Sequence, residues 1–320
     1  MTKETAAHFD LIKMQNRKML RNLLRTESPL SIAKAAEKTG LSYPTVSGLL
    51  KELLLEGQVL ISEQQNIAGG RPGICYELNA AYQYGLTLFF DDMLLQGKVY
   101  DATGTTVRDY LWKGFTREIS AGDIAEYVGE VKQAYPALTA VAIGVPGAVK
   151  EKTIMYLPKF PALVGDGLAN ALHEKCGVDV FMENDINAIA FAEVGEWENF
   201  AHIVYVEEDH CIGVGIVLDG EIVRGSQGFA GELEYLCEDL QDEEKTFLTG
   251  ITALTCVLNL SLILVSGSFC TEENVRRLRE KLACKLPVDR IPELHIVDST
   301  GELYDRGLFR KILLAWSQQI

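Results

Sequence analysis

The chain has 320 residues, 48% of them hydrophobic, and 45 Asp/Glu against 30 Lys/Arg give it a net charge of −15. That length allows about two or three domains with a full-sized core, and the balance of apolar and charged residues excludes collagen-like and disordered classes. No apolar run reaches the ~20 residues of a membrane-spanning helix, the N-terminus has no secretory pattern, and seven cysteines without a Cys-x-x-Cys pair fit reduced thiols, so a cytoplasmic protein with no membrane partner is expected.

Residues 9–25 carry Leu11, Ile12, Met14, Met19, Leu20, Leu23 and Leu24 among Lys13, Arg17, Lys18, Arg21 and Arg25, which predicts a helix with a basic outer face. Ser31 then offers an N-cap, with Ile32, Ala35, Ala36 and Thr39 at helical spacing behind it. Gly40 supplies a turn, because glycine accepts positive φ without steric cost. Ser42 is a second N-cap, Pro44 sits in the first turn, Val46, Leu49, Leu50, Leu53 and Leu54 form one stripe, and Gly57 ends the helix. Two short helices across a glycine turn match a helix-turn-helix. Such a unit would present Ser42, Tyr43, Thr45, Ser47 and Lys51 to base edges in a major groove. Residues 58–62 and 74–78 read as the strands of a wing whose polar tip carries Arg71, suited to a minor groove. A small helical packing domain would show much the same pattern. Charge favours the DNA reading: residues 1–75 hold ten Lys/Arg and seven Asp/Glu, net +3, so the remainder carries −18 and repels phosphate.

From residue 84 onward, strands are predicted at 84–90, 97–100, 106–112, 140–145, 178–182, 202–206 and 213–218, and helices at 121–135, 166–176 and 185–194. Residues 101–104 read as a turn, 116–123 as a loop and 238–245 as an acidic loop. The alternation indicates an α/β architecture with more than one lobe. The expected division is a winged helix-turn-helix over residues 1–78 and a ligand-binding domain over 79–320.

Three segments in order sharpen this reading: residues 141–147 (VAIGVPG), 182–188 (MENDINA) and 218–232 (LDGEIVRGSQGFAGE). With the Gly-Gly-Arg-Pro at 69–72, they resemble the ROK family, which joins repressors and sugar kinases, and residues 41–77 resemble the winged helix-turn-helix of its repressor branch. The resemblance implies an actin-like, sugar-kinase (ASKHA-type) two-lobed fold with a sugar cleft near 144–147, 184–185 and 228–235. In that cleft Asn184, Asp185 and Glu232 would hold sugar hydroxyls, since a carboxylate accepts from two neighbouring hydroxyls and an amide both donates and accepts. Gly144 and Gly147 would admit close backbone approach. Tyr235 stands where members carry a sugar-contacting His. In the family's kinases the residue matching Asp185 is the general base. Taken alone, Asn184 and Asp185 also read as caps of the helix that follows.

Departures from the family pattern point away from catalysis. Residues 90–95 (FDDMLL) replace a Gly-rich phosphate loop and bring two carboxylates where phosphate would sit, Asp209-His210-Cys211 replaces Gly-Thr-Gly, and residues 265–268 (VSGS) are a reduced adenosine segment. ATP is therefore not expected, and no catalytic residue is assigned. Zinc is not expected either, because Cys237 alone replaces a three-cysteine cluster and structural zinc takes four ligands. Lys245 falls near a family glutamate; it is either a solvated lysine or a cation for an acidic sugar. The expectation is a DNA-binding transcriptional regulator, a repressor, that answers to a sugar, lacks kinase activity, and meets operator DNA as a homodimer or tetramer. The alternatives are an ATP-dependent sugar kinase with an accessory DNA-binding domain, or a ligand-independent DNA binder with a decayed cleft.

Overall fold

A computed structural model describes residues 3–62, 74–91, 93–113, 116–206 and 211–318; Arg71, Asp92, Asp209 and His210 lie outside them. The chain opens with α1 (Lys3–Glu27), β1 (Leu30–Ser31), α2 (Ile32–Thr39), α3 (Tyr43–Leu55), β2 (Val59–Ser62) and β3 (Cys75–Leu78). The caps act as their residue types dictate. Ser31 Oγ accepts from the Lys34 N–H, Gly40 closes α2 at φ 68°, and Ser42 Oγ accepts from the Thr45 N–H at the start of α3. Val46, Leu49, Leu50 and Leu53 of α3 pack with Leu20 and Leu24 of α1, Ala35 of α2 and Val59, Tyr76 and Leu78 of the strands. Leu30–Ser31 also pairs antiparallel with Tyr76 and Cys75, making a three-stranded sheet in the order β1-β3-β2 that the sequence pattern did not announce.

The basic face of α1 is partly neutralised. Lys13 Nζ lies 2.8 Å from Glu52 Oε1, and Arg17 pairs with Glu56 and Glu52, so acids of α3 draw two of the cations inward. Arg25 Nε donates to the Ala102 carbonyl at 3.0 Å, and Ala102 belongs to the same core, so this unit is seated on a hairpin of the next one.

The rest of the described chain is built twice on one plan. First come β4 (Tyr84–Asp91), β5 (Leu94–Asp101), β6 (Thr106–Trp112), α4 (Ala121–Ala134), β7 (Leu138–Val145), a hairpin of β8 (Ala148–Lys150) and β9 (Thr153–Tyr156), α5 (Gly167–Cys176) and β10 (Asp179–Asn184). After α6 (Asp185–Glu193) come β11 (Phe200–Val206), β12 (Cys211–Leu218), β13 (Glu221–Ile222), α7 (Glu243–Leu258), β14 (Leu262–Ser266), α8 (Glu272–Ala283) and β15 (Glu293–Ile296). The sheet orders, β10-β7-β4-β5-β6 and β13-β12-β11-β14-β15, are equivalent: three antiparallel strands, then two helical crossovers adding parallel strands on the other side. Two expected loops are shorter than read. Ser120 and Asp123 form a capping box that starts α4 at Ala121, and Asp242 caps α7 at Glu243.

The final helix, α9 (Thr300–Gln318), returns to the first sheet. Tyr304, Leu308, Ile312 and Trp316 recur every fourth residue, so they form one stripe. All four are buried in a core shared with Phe89, Tyr100, Ala140 and Ala142 of the first sheet and Ala188 and Ile189 of α6. A Cβ on Gly307 would lie 1.8 Å from the Ala188 carbonyl oxygen, so α9 crosses α6 at a distance only glycine permits.

The second sheet carries a titrating core residue. His202 on β11 is fully buried, and its Nε2 lies 2.8 Å from Ser266 Oγ. The Ser266 hydroxyl donates to the Val297 carbonyl at 2.6 Å, so Nε2 must carry the imidazole proton and Nδ1 is left bare, with no partner among the described residues. Burial pushes the imidazole pKa from 6.5 down to about 4. Its stabilising effect is full above pH 6.5 and is lost as pH falls through 4, a swing of about 3 kcal/mol. Urea titrations should show wild type losing that much more than His202→Gln between pH 7 and pH 4; equal losses would refute the assignment.

Candidate functional site

β10 ends at Asn184 and α6 begins at Asp185, in the segment that connects the first sheet to the second. Asn184 is the N-cap of α6: Oδ1 accepts from the Asn187 N–H at 3.0 Å, and Nδ2 donates to the Gly147 carbonyl at 3.0 Å. The capping reading of Asn184 thus holds, and because its side chain also hydrogen-bonds Asp185, a spare Oδ1 lone pair is what remains for a ligand. Asp185 Oδ1 accepts from the Ile186 N–H at 2.8 Å. Burial pushes the Asp185 pKa up to about 6; the Ile186 N–H pulls against this, and the charge of Glu232 adds to the rise. Glu232 comes from the opposite wall, at the start of a 3-10 turn over Leu233–Leu236, and its own carboxyl is raised by burial and then by Glu234. The cleft therefore confines negative charge, which hydroxyl donors from a ligand would relieve.

The glycines do different work from that expected. A Cβ on Gly144 would fall 2.2 Å from Tyr304 Oη, and one on Gly147 would fall 2.2 Å from the Tyr156 carbonyl oxygen. Their missing side chains admit the protein's own α9 and β9 rather than leaving room for a ligand. Tyr304 was invisible in the sequence pattern, because its place depends on α9 returning across 160 residues. Its buried hydroxyl has no partner among the described residues, and burial, then the charges of Asp185 and Glu183, hold its pKa well above the ordinary value. It is a neutral O–H donor beside two carboxylates.

Tyr235 stands at the cleft mouth, exposed, its ring centroid 5.1 Å from that of Phe229. Lys245 does not serve the cleft: its Nζ lies 3.0 Å from Glu238 on an exposed loop, which supports the solvated reading over an acidic-sugar contact. Among the described residues no three His, Cys, Asp or Glu side chains are grouped to hold a metal.

Two cavities bear on the site. One, of about 580 Å³, runs along the edge strand β10, where buried Glu183 is held by Arg224 and by Lys311 of α9. Burial raises the Glu183 pKa, but Lys311 and Arg224 outweigh it and keep the carboxylate below its usual range. The other, of about 560 Å³, opens at the C-terminal ends of β11, β14 and β15 and is lined by Gly267, Ser268, Thr271, Asp298 and Thr300. At the β4–β5 connection, where a phosphate loop was looked for, Asp91 pairs with Leu94, and Asp92 lies outside the described residues.

At the other end of the chain, Tyr43, Thr45 and Lys51 are exposed and Ser47 half-buried on the start and outer face of α3. Ser42 Oγ lies 2.8 Å from Thr45 Oγ1, so these two hydroxyls already engage each other.

A sheet plan used twice, with helices packed on both sheets, is that of the actin-like, sugar-kinase type of fold. Solved structures agree on the fold: a ROK family transcriptional regulator described as a homologue of the E. coli Mlc protein aligns with TM-score 0.62 and 18% identity over 95% of this chain and 99% of that one. The ROK hexokinase from Thermus thermophilus aligns with TM-score 0.56 and 17% identity over 72% of this chain and 99% of that one. Residues 100–246 match the ROK family. It is 31% identical over 239 residues to the xylose repressor of Bacillus subtilis (strain 168), covering 71% of this chain and 62% of that relative. It is 25% identical over 241 residues to the DNA-binding transcriptional dual regulator NagC of Escherichia coli (strain K12), covering 72% of this chain and 59% of NagC. The chain thus spans about six tenths of the length of the curated relatives it matches.

Proposed function

We propose that this protein is a sugar-responsive transcriptional repressor without kinase activity, reading DNA through residues 1–78 and a saccharide through residues 79–320. The observation that carries the reading is one helix with contacts at both ends. Tyr304 of α9 lies against Gly144 at the cleft, and Trp316 and Ser317 of α9 border the junction with Arg21 and Arg25 of α1. Repressors among the relatives support the same reading. In it, Asp185 and Glu232 accept sugar hydroxyl protons, the lobes close on the ligand, and α9 carries the shift to α1. A ligand moves this equilibrium only by its preference for one state. The winged helix-turn-helix sets Tyr43, Ser47 and Lys51 of α3 in a major groove, with Ser42 and Thr45 at phosphates. Leu11, Ile12 and Met19 of α1 and Leu55 of α3, all exposed, suit the self-association that a two-fold operator requires.

Gel shifts with DNA from upstream of the protein's own gene test this. Lys51→Ala is expected to weaken binding about tenfold and to lower the salt slope by about 1, and both Lys51→Ala and Tyr43→Ala should relax sequence preference. No specific retardation at moderate salt would refute the reading.

The kinase reading is favoured by one feature, the 560 Å³ cavity at the C-terminal strand ends, where α/β sheets place ligands. Phosphate transfer from ATP to any sugar, abolished by Asp185→Asn, would establish it in place of the repressor reading.

A further inference from the structure

Three aromatic side chains from separate segments stand exposed at the cleft mouth: Tyr156 at the end of β9 (60% exposed), Phe229 in the loop after β13 (55%) and Tyr235 in the 3-10 turn that follows Glu232 (66%). Large apolar rings gathered in water mark a surface meant to be covered. Phe229 and Tyr235 already stack at 5.1 Å with their planes tilted by 50°. The Tyr156 carbonyl presses on Gly147, whose own carbonyl accepts from Asn184, so the group continues outward from Asn184. Tyr235 also feels the charges of Glu234, Tyr156 and Glu232, which places all four side chains in one neighbourhood.

The charge inventory selects the ligand. Asp185, Glu232 and Glu234 gather negative charge here; Arg224 and Lys311 pair with Glu183, Lys245 with Glu238, and Lys150 donates to the Ser226 carbonyl at 3.4 Å. A phosphate or carboxylate seated at Asp185 and Glu232 would meet the repulsion of both carboxylates. A neutral ring has hydroxyls for the carboxylates on its edge and C–H groups for aromatic faces on its flat side. A monosaccharide seated at Asp185 and Glu232 would leave the aromatic group bare.

We propose that the cleft takes a neutral saccharide of at least two units, the inner unit held by Asp185 and Glu232 and the outer unit stacked on Tyr156, Phe229 and Tyr235. This rests on the proposed sugar site, and the following experiment separates the two. Isothermal titration at pH 7.5 compares xylose, glucose and N-acetylglucosamine with xylobiose, cellobiose, maltose and chitobiose, and with glucose 6-phosphate. At least one disaccharide should bind about tenfold or more tightly than its monosaccharide, and glucose 6-phosphate should not bind. Phe229→Ala and Tyr156→Ala, both at exposed positions that folding tolerates, should erase the disaccharide advantage while leaving monosaccharide affinity unchanged. Monosaccharide binding with no disaccharide advantage, or an advantage that survives both variants, overturns the platform and spares the sugar site. No binding by any saccharide overturns both. A change of sedimentation mass in the variants, with saccharide binding intact, would assign the aromatic group to a second copy of the chain and overturn the proposal.

Discussion

Asp305→Ala is expected to cost about 3–5 kcal/mol of folding stability, the largest loss foreseen for any single polar residue of this protein. Asp305 sits on α9 with 3% exposure, facing the first sheet. Its carboxylate accepts from Thr87 Oγ1 and from the Tyr100 hydroxyl, and Lys98 Nζ lies 3.1 Å away. Burial, then the charge of Asp305, suppresses ionisation of Tyr100, so the phenol stays a donor. Alanine would strand two buried hydroxyls and an ammonium at once, and each unsatisfied buried group costs about 1–3 kcal/mol. Asp305→Asn keeps an acceptor and should lose less than half as much. Urea unfolding near pH 7 measures both; a loss under about 1 kcal/mol for the alanine variant would show that α9 is held by its apolar stripe alone. Because α9 joins the cleft to α1, the same variant should uncouple saccharide from DNA binding before it unfolds the chain.

The second large effect has the opposite sign. Asp185→Asn is expected to stabilise the fold by about 2 kcal/mol above pH 7 while abolishing the thermal shift that saccharide produces, about 2.7 kcal/mol at a hundredfold excess over Kd. The carboxyl pKa is raised from 3.8 to about 6 by burial foremost and by Glu232. The folded state therefore holds this proton more tightly than the unfolded chain does. Its contribution to stability is full below pH 3.8 and is lost as pH rises through 6, so the variant's advantage should vanish below pH 4 and level off above pH 7. An advantage that does not change with pH would show that the carboxyl is not strained. A site that destabilises its own fold until a ligand arrives is what a binding function leaves behind.

Some of this was legible in the chain because the signal was local. Ser31, Gly40 and Ser42 cap and turn α2 and α3 through hydrogen bonds within three residues, and the stripe from Val46 to Leu53 needs only helical period to be read. The alternation of strands and helices up to residue 218 was readable for the same reason. Past residue 218 the periodicity named no elements, yet the second half of the sheet plan, α7 through β15, lies there, and its likeness to the first half appears only in strand order.

What the sequence by itself determined is the set of short-range structures, the two-part division of charge, and the motifs at 141–147, 182–188 and 218–232 that lie in the stretch matching the ROK family. Tertiary structure alone decided what each special residue meets. Gly144 makes room for Tyr304, Gly85 for Ile312 and Trp316, and Gly307 for the backbone of α6. Lys13 and Arg17 of the expected basic face meet Glu52 and Glu56, and Tyr156 joins Phe229 and Tyr235 in one aromatic group. The physical reason is common to all of them. Periodicity specifies that a face will be buried, or that a backbone must bend, but the partner is chosen by packing between segments up to about 230 residues apart, and no local pattern carries that choice.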